Sequence, residues 1–157
     1  MQITKSNINQ FIEPNFQLTM DCSGSGITEI SYIPKNIEKL YCNNNQLTSL
    51  PKLPDSLTHL YCYENQLTEL PDLPNYLEYL YCYKNELIKL PKLPNCLIEL
   101  YCYNNQLTSL PILPEHLIGL YCHNNNLPYK ITEENIKEHN TLLKRKEILN
   151  KLNKSIS

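Results

Sequence analysis

The sequence predicts a solenoid, a stack of short turns that each give one strand to a parallel β-sheet. Three observations carry that expectation. The first is an internal repeat with a strict period of 20 residues. Turns align without a gap from Leu40, Leu60, Leu80 and Leu100; that from Leu60 reads LYCYENQLTELPDLPNYLEY, and the one from Leu100 reads LYCYNNQLTSLPILPEHLIG. A degenerate turn precedes them from Met20 and a broken one follows from Leu120. The second is the apolar–polar alternation around each Leu-Tyr-Cys triplet, the period of a half-buried strand. The third is a pair of prolines in each turn, which favours an extended return path. About six strands are expected across residues 20–130.

Each position of a turn has a physical reason. In Leu57-Thr58-His59-Leu60-Tyr61-Cys62-Tyr63, alternation puts Leu60 and Cys62 on the inner face. His59, Tyr61 and Tyr63 then face outward. Repeated in register, such strands lie about 4.8 Å apart. Where the chain leaves the strand and bends, its backbone groups lose their sheet partners. Asn45, Asn65, Asn85, Asn105 and Asn125 recur at that point. An amide both donates and accepts, so this ladder is expected to satisfy backbone groups of its own and the adjacent turn. Leu67 and Leu70 then point inward, and Pro71 and Pro74 flank Leu73. The convex side is therefore expected to be polyproline-like, with no room for a long helix.

An open stack needs covers at its ends. Residues 1–19 are expected to cap the first turn, with a short helix from Ser6 to about Glu13, stopped by Pro14. Phe16, Leu18 and Met20 lead into the degenerate turn, where Ser25 replaces the ladder asparagine. Gly24 and Gly26 flank it and are expected to loosen the bend. Residues 131–157 predict an amphipathic helix capped by Thr132, with Ile131 and Ile136 as a hydrophobic staple. Ile136, Leu142, Leu143, Ile148, Leu149 and Leu152 form its apolar stripe, which is expected to pack on the last turn. Lys144, Arg145, Lys146, Lys151 and Lys154 would then be solvated. The other reading of this segment is a basic amphipathic helix that docks a partner or a membrane surface.

Composition narrows the function classes. A formal charge of −2 exerts no overall pull towards nucleic acid or anionic lipid. No stretch reaches the roughly 18 apolar residues of a membrane helix. The N-terminus lacks the basic-then-apolar layout of a secretory signal, so an intracellular protein is expected. Cys22, Cys42, Cys62, Cys82, Cys102 and Cys122 follow the repeat, and Cys96 alone lies outside it. Such a series assigns one thiol per turn as core packing, in a reducing compartment. Adjacent thiols on a parallel sheet point the same way, and neither CxxC nor a ligand spacing with His occurs. Neither a metal nor a cofactor is expected. Ala and Val are absent and Asn, Lys, Ile and Tyr are plentiful, a bias that points to an AT-rich genome.

In this sequence's letters the repeat is LxxLxCxxNxLTxLPxLPxx. It resembles the leucine-rich-repeat signature LxxLxLxxNxL, with Cys in place of the third leucine. The continuation LPxLP resembles the short class of about 20 residues found in bacterial leucine-rich-repeat effectors. The spelling LYCxNNQLTSLPxLP is most similar to repeat proteins of giant amoeba-infecting viruses. The resemblance covers about residues 20–130 and implies a solenoid whose concave sheet binds another protein. Some of those effectors carry a ubiquitin-ligase domain after their repeats, and no counterpart is expected in the residues following this stack.

The candidate site is the outward face of the sheet. Tyr41, Tyr61, Tyr81, Tyr101 and Tyr121 form one row. Tyr63, Tyr83 and Tyr103 form a second, bounded by Asn43 and His123. Tyrosine is typical of binding hot spots. Identical aromatics in register can also serve only to support the sheet. Specificity is expected from the positions that vary: Lys39, His59, Tyr79, Glu99 and Gly119 before the inward leucine, and Asn44, Glu64, Lys84, Asn104 and Asn124 past the strand. Mixed charge suits a protein surface and lacks the basic stripe that phosphate requires. No GxSxG, HExxH or glycine-rich phosphate loop occurs, and the four histidines are scattered, so no catalytic residue is expected. The leading expectation is a non-enzymatic protein–protein interaction module acting in the host cytoplasm. Recognition of glycan or single-stranded nucleic acid by aromatic stacking is the alternative from another class. A structural repeat protein with no dedicated ligand is the third.

Overall fold

A computed structural model describes residues 1–12 and 18–156. Its strands are β1 (Gln2–Ile3), β2 (Thr19–Asp21), β3 (Glu29–Ile30), β4 (Lys39–Tyr41), β5 (His59–Tyr61), β6 (Tyr79–Tyr81), β7 (Glu99–Tyr101) and β8 (Gly119–Tyr121), followed by helix α1 (Ile136–Ile156). Six of them form one parallel sheet in the order β2-β4-β5-β6-β7-β8. The register is the sequence period itself, with Leu40 opposite Leu60, Leu60 opposite Leu80 and Leu80 opposite Leu100. A one-residue slip would turn every inner leucine outward, so the alternation alone fixes this pairing.

The core runs along the inside of the stack. Leu40, Leu60, Leu80 and Leu100 are fully buried, as are Cys42, Cys62, Cys82 and Cys102. Leu47, Leu67, Leu87 and Leu107 close the same layer from the descending arm. Between successive strands of the stack the chain forms no helix. It makes a tight turn after the second proline, where the Leu57 N–H donates to Pro54 O at 3.1 Å and Leu77 to Pro74 O at 3.1 Å.

The N-terminal cap differs from the expected helix. Only Ile8–Phe11 are helical, as a single 3-10 turn that begins after Asn7 rather than Ser6. The Asn7 amide is held back towards the chain start: Oδ1 accepts from the Thr4 N–H at 2.8 Å, and Nδ2 donates to Gln2 O at 2.9 Å. Ile8 and Phe11 are buried as expected. The rest of the cap is β1, which pairs in parallel with β3 on the descending arm of the first turn. Glu13, Pro14 and Phe16 lie outside the described residues.

The C-terminal helix also departs from expectation. Thr132 is the N-cap in extended conformation, and its N–H donates to Asn135 Oδ1 at 2.9 Å. Ile131 and Ile136 are both buried. Beyond them the packing comes from polar residues: Asn140 Oδ1 accepts from the Leu113 N–H at 2.8 Å, and its Nδ2 donates to Leu113 O at 2.7 Å. His139 bonds Pro111 O through Nε2 and the Tyr129 hydroxyl through Nδ1. Leu142, Ile148, Leu149 and Leu152 are all more than half exposed. The apolar stripe does not pack on the last turn as one face. Only its first residues do, because two polar side chains anchor the opening turns of α1 to the backbone of the last arm.

Candidate binding face

Each strand contributes the triplet x-Leu-Tyr, with the leucine buried and its neighbours half-buried in β4 through β7. That leaves the tyrosines on the concave side at the spacing of the strands. The second row is one continuous stack: Tyr63–Tyr83 at 4.4 Å between ring centroids, Tyr83–Tyr103 at 4.5 Å and Tyr103–His123 at 4.8 Å, all within 8° of parallel. The first row is stacked in pairs, Tyr41 on Tyr61 at 4.6 Å and Tyr81 on Tyr101 at 4.3 Å. The pairs meet edge-on, with Tyr61 and Tyr81 at 85°. Tyr101 and Tyr121 are tilted by 56°.

The break in the first row has a chemical cause beside it. The Tyr81 hydroxyl donates a short hydrogen bond to Glu99 Oε2, which draws the ring towards the next strand. His59 and Tyr79 stack at 4.5 Å in the variable column. Gly119, at the end of that column, leaves room for Glu99, since an added Cβ would stand 3.1 Å from Glu99 Cγ. Glu99 thus bonds the first row directly, His59 lies beside Tyr61 at 6.2 Å between ring centroids, and Tyr79 stacks on His59.

Electrostatics keeps the face protonated and nearly neutral. Burial, then Tyr41 and Glu99, push the Tyr61 phenol up to about 12. Burial and the Glu99 hydrogen bond raise Tyr81, while burial and the flanking Tyr63 and Tyr103 raise Tyr83. Burial, and next the charge of Lys39, lower His59 below its ordinary value, so it is neutral at pH 7. The rows thus present ring faces, ring edges and hydroxyls that can donate.

The bend after each strand holds two further sets of residues. Asn85 is buried: its Oδ1 accepts from the Leu67 N–H at 3.0 Å, and its Nδ2 donates to Cys62 O and Cys82 O, both at 3.1 Å. Asn45, Asn65, Asn105 and Asn125 repeat the pattern, each accepting from the preceding turn at 2.8–3.0 Å. The ladder therefore reaches backward only. Ser25 suffices in the first turn because no earlier strand of the stack is there to serve. The residues just before the asparagines, Asn44, Glu64, Lys84, Asn104 and Asn124, all have left-handed backbone, with φ between 52° and 56°. Gly24 occupies the same place at φ 60°, so it fits the bend rather than loosening it. In the sequence alone these positions read as variable surface. Asn and Gly at four of the six were the available signal, obscured by Glu64 and Lys84, which instead form an ion pair at 2.5 Å.

Of the predicted site residues, the tyrosines, His59, Glu99 and His123 come together on one surface. Asn43, placed at the edge of the second row, is buried instead. The inner thiols are all unpaired, and Cys96 is exposed. Among the described residues no three of His, Cys, Asp and Glu converge as a metal site, and no helix is long and apolar enough to cross a membrane.

Residues 35–75 match a family model for two copies of leucine-rich repeats. The fold is a leucine-rich-repeat solenoid. Among solved structures the chain is similar to the leucine-rich-repeat domain of a Shigella effector, with 34% identity, a TM-score of 0.75 and 81% of this chain covered. It is similar also to YopM, a leucine-rich effector of Yersinia pestis, with 35% identity, a TM-score of 0.71 and 78% of this chain covered. The chain spans 58% of the Shigella domain and 35% of YopM. No curated protein sequence matches it. These structures support the resemblance to bacterial effector repeats, and none of the comparisons supports the likeness to viral ones.

Proposed function

We propose that this leucine-rich-repeat chain docks a protein partner on its concave tyrosine face. The observation that carries the reading is the two aromatic rows: eight tyrosines and His123 stacked, tilted or edge-on along the sheet, half-buried from Tyr41 to Tyr103, with His59 and Tyr79 stacked beside them. Rings stacked on their neighbours have little rotamer freedom left to lose, so a partner can cover them at small entropic cost. Tyrosine in that state supplies apolar area and a hydroxyl together, the combination found at binding hot spots. The varying column of His59, Tyr79 and Glu99 is where selection among partners would act. Recognition rather than catalysis follows from the same surface, since neutral phenols with raised pKa are poor bases and poor nucleophiles.

The likeness to effector structures supports a place inside a cell, and seven unpaired thiols suit a reducing compartment. The partner would be a protein of a host cell.

Affinity capture from cell lysate tests the reading, comparing wild type with a Tyr61/Tyr81/Tyr101→Ser variant and with an Ile112→Ser variant on the far arm. Loss of the same partner from the tyrosine variant alone is the expected outcome. Identical recovery from all three would remove the concave face from the account. Binding that weakens steeply with salt would indicate single-stranded nucleic acid, and binding abolished by a glycan competitor would indicate sugar.

A further inference from the structure

The C-terminal helix carries a second surface that the concave face does not use. Ile136 and Leu143 lie one heptad apart on the side of α1 nearest the solenoid, Ile136 buried and Leu143 half-buried. Leu142 and Leu149, also a heptad apart, are 52% and 60% exposed. At 3.6 residues per turn they sit roughly a third of the way round the helix from the packed pair. Between them and the last turns of the stack runs a groove of about 450 Å³, with Leu127, Tyr129, Leu142 and Leu149 among its walls and Arg145 and Lys146 at its side. Exposed leucines at a concave junction of two elements mark a docking site more than scattered surface residues do.

Charge selects the occupant. Helix α1 holds six basic residues against two acidic ones, a net +4. The whole chain is −2, so the remainder carries −6. Neither Arg145 nor Lys146 is ion-paired to a carboxylate among the described residues. Two copies meeting helix to helix would bring +4 against +4. A lipid surface is flat, whereas the apolar walls here are concave and half of them belong to the solenoid. A peptide helix fits both the shape and the charge.

We propose that the groove between α1 and the last turns binds an acidic amphipathic helix of a partner protein. Apolar side chains spaced at i, i+3 or i+4, and i+7 would lie between Leu142 and Leu149 on one wall and Leu127 and Tyr129 on the other. Carboxylates along the edge of that helix would meet Arg145 and Lys146.

The test uses the full chain and fluorescein-labelled peptides of about 16 residues, read by fluorescence anisotropy. One peptide has leucine at helical spacing and glutamate elsewhere. A second replaces glutamate by lysine, and a third scrambles the acidic composition. The acidic amphipathic peptide is expected to bind at least about tenfold more tightly than either control. Leu142→Ser/Leu149→Ser should weaken it by a similar factor, and Arg145→Glu/Lys146→Glu should shift the preference to the lysine peptide. These four residues are exposed or rim the groove, and circular dichroism checks that each variant retains its fold. Equal binding of the three peptides, or none, overturns the proposal. So does binding to phosphatidylserine–phosphatidylcholine vesicles in place of the peptide, or a dimer in sedimentation that Leu149→Ser dissociates. The Tyr61/Tyr81/Tyr101→Ser variant should bind the acidic peptide as wild type does, so this site and the concave face can fail separately.

Discussion

The inner and outer faces of the same six strands carry equally regular ladders, yet the two are held by different physics. Inside, Leu60 and Cys62 and their counterparts are buried in one apolar core, and Asn65 bonds the backbone of its own and the preceding turn. Each asparagine is the acceptor for a backbone N–H of the preceding turn, and each thiol fills volume where its charged form would be desolvated. Outside, Tyr63, Tyr83 and Tyr103 lean on their neighbours but keep exposed edges and hydroxyls. Repetition on the inner side is demanded by the fold. On the outer side nothing in the fold demands tyrosine, because Asn43 replaces it in one turn and His123 in another without breaking the register.

The sharpest separation of the two faces should appear at alkaline pH. Burial pushes the Cys62 thiol up to about 12 from an ordinary value of 9.0, and raises Cys42, Cys82 and Cys102 as well. Below pH 9 both folded and unfolded chains keep these protons. Above it the unfolded chain loses them while the folded chain does not, so stability falls from pH 9 upward until the folded thiols themselves titrate. Each such thiol contributes a slope of about 1.4 kcal/mol per pH unit in that window. Unfolding followed by circular dichroism should therefore show a steep base-induced transition. A Cys62→Ala/Cys82→Ala variant should move its midpoint to higher pH, and an unmoved midpoint would remove the thiols as its cause.

Next in size is the asparagine ladder. Asn85→Ala leaves the buried Leu67 N–H without a partner and takes one of two amide donors from Cys62 O and from Cys82 O, which keep Asn65 and Asn105, a loss of about 1–3 kcal/mol. Urea denaturation reads it directly, and an unchanged midpoint would deny the ladder its structural role. On the outer face, Tyr83→Ser removes two stacking contacts of about 0.5–1.5 kcal/mol each, and the exposed position recovers part of that in solvation. Its effect on stability should be smaller than that of Asn85→Ala, while its effect on partner binding should be the larger of the two. Smallest is Lys84→Gly, which relieves a left-handed backbone and should raise stability by about 0.5–1 kcal/mol, less whatever the surface pair with Glu64 contributes. A lower urea midpoint for this variant would show that the ion pair outweighs the backbone.

The fold was legible because one physical constraint generates it twenty residues at a time. The period set the register, the alternation set the inner leucines and thiols, and the amide chemistry of asparagine set the bend. What was not legible depended on direction. Donor and acceptor capacity says that Asn65 can serve two turns, but not that it reaches only towards the turn before. A broad apolar stripe on α1 says that leucines are present, but not which side meets the solenoid; that was decided by Asn140 and His139, two polar residues that periodicity passes over. The pairing of β1 with β3 was hidden because two-residue strands carry no pattern of their own. The tyrosine rows were visible as a surface, and the Tyr81–Glu99 bond that divides the first row was not, since it links residues in different turns.

Site-specific photocrosslinking tests the central claim most directly. A benzophenone amino acid placed at Tyr83 on the concave face, and at Lys92 on the far arm, gives two otherwise matched probes. On irradiation in lysate, followed by mass spectrometry, the Tyr83 probe should form one dominant adduct with a discrete protein, and the Lys92 probe should not. Equal adducts from both positions, or capture from Lys92 alone, would contradict docking on the tyrosine face.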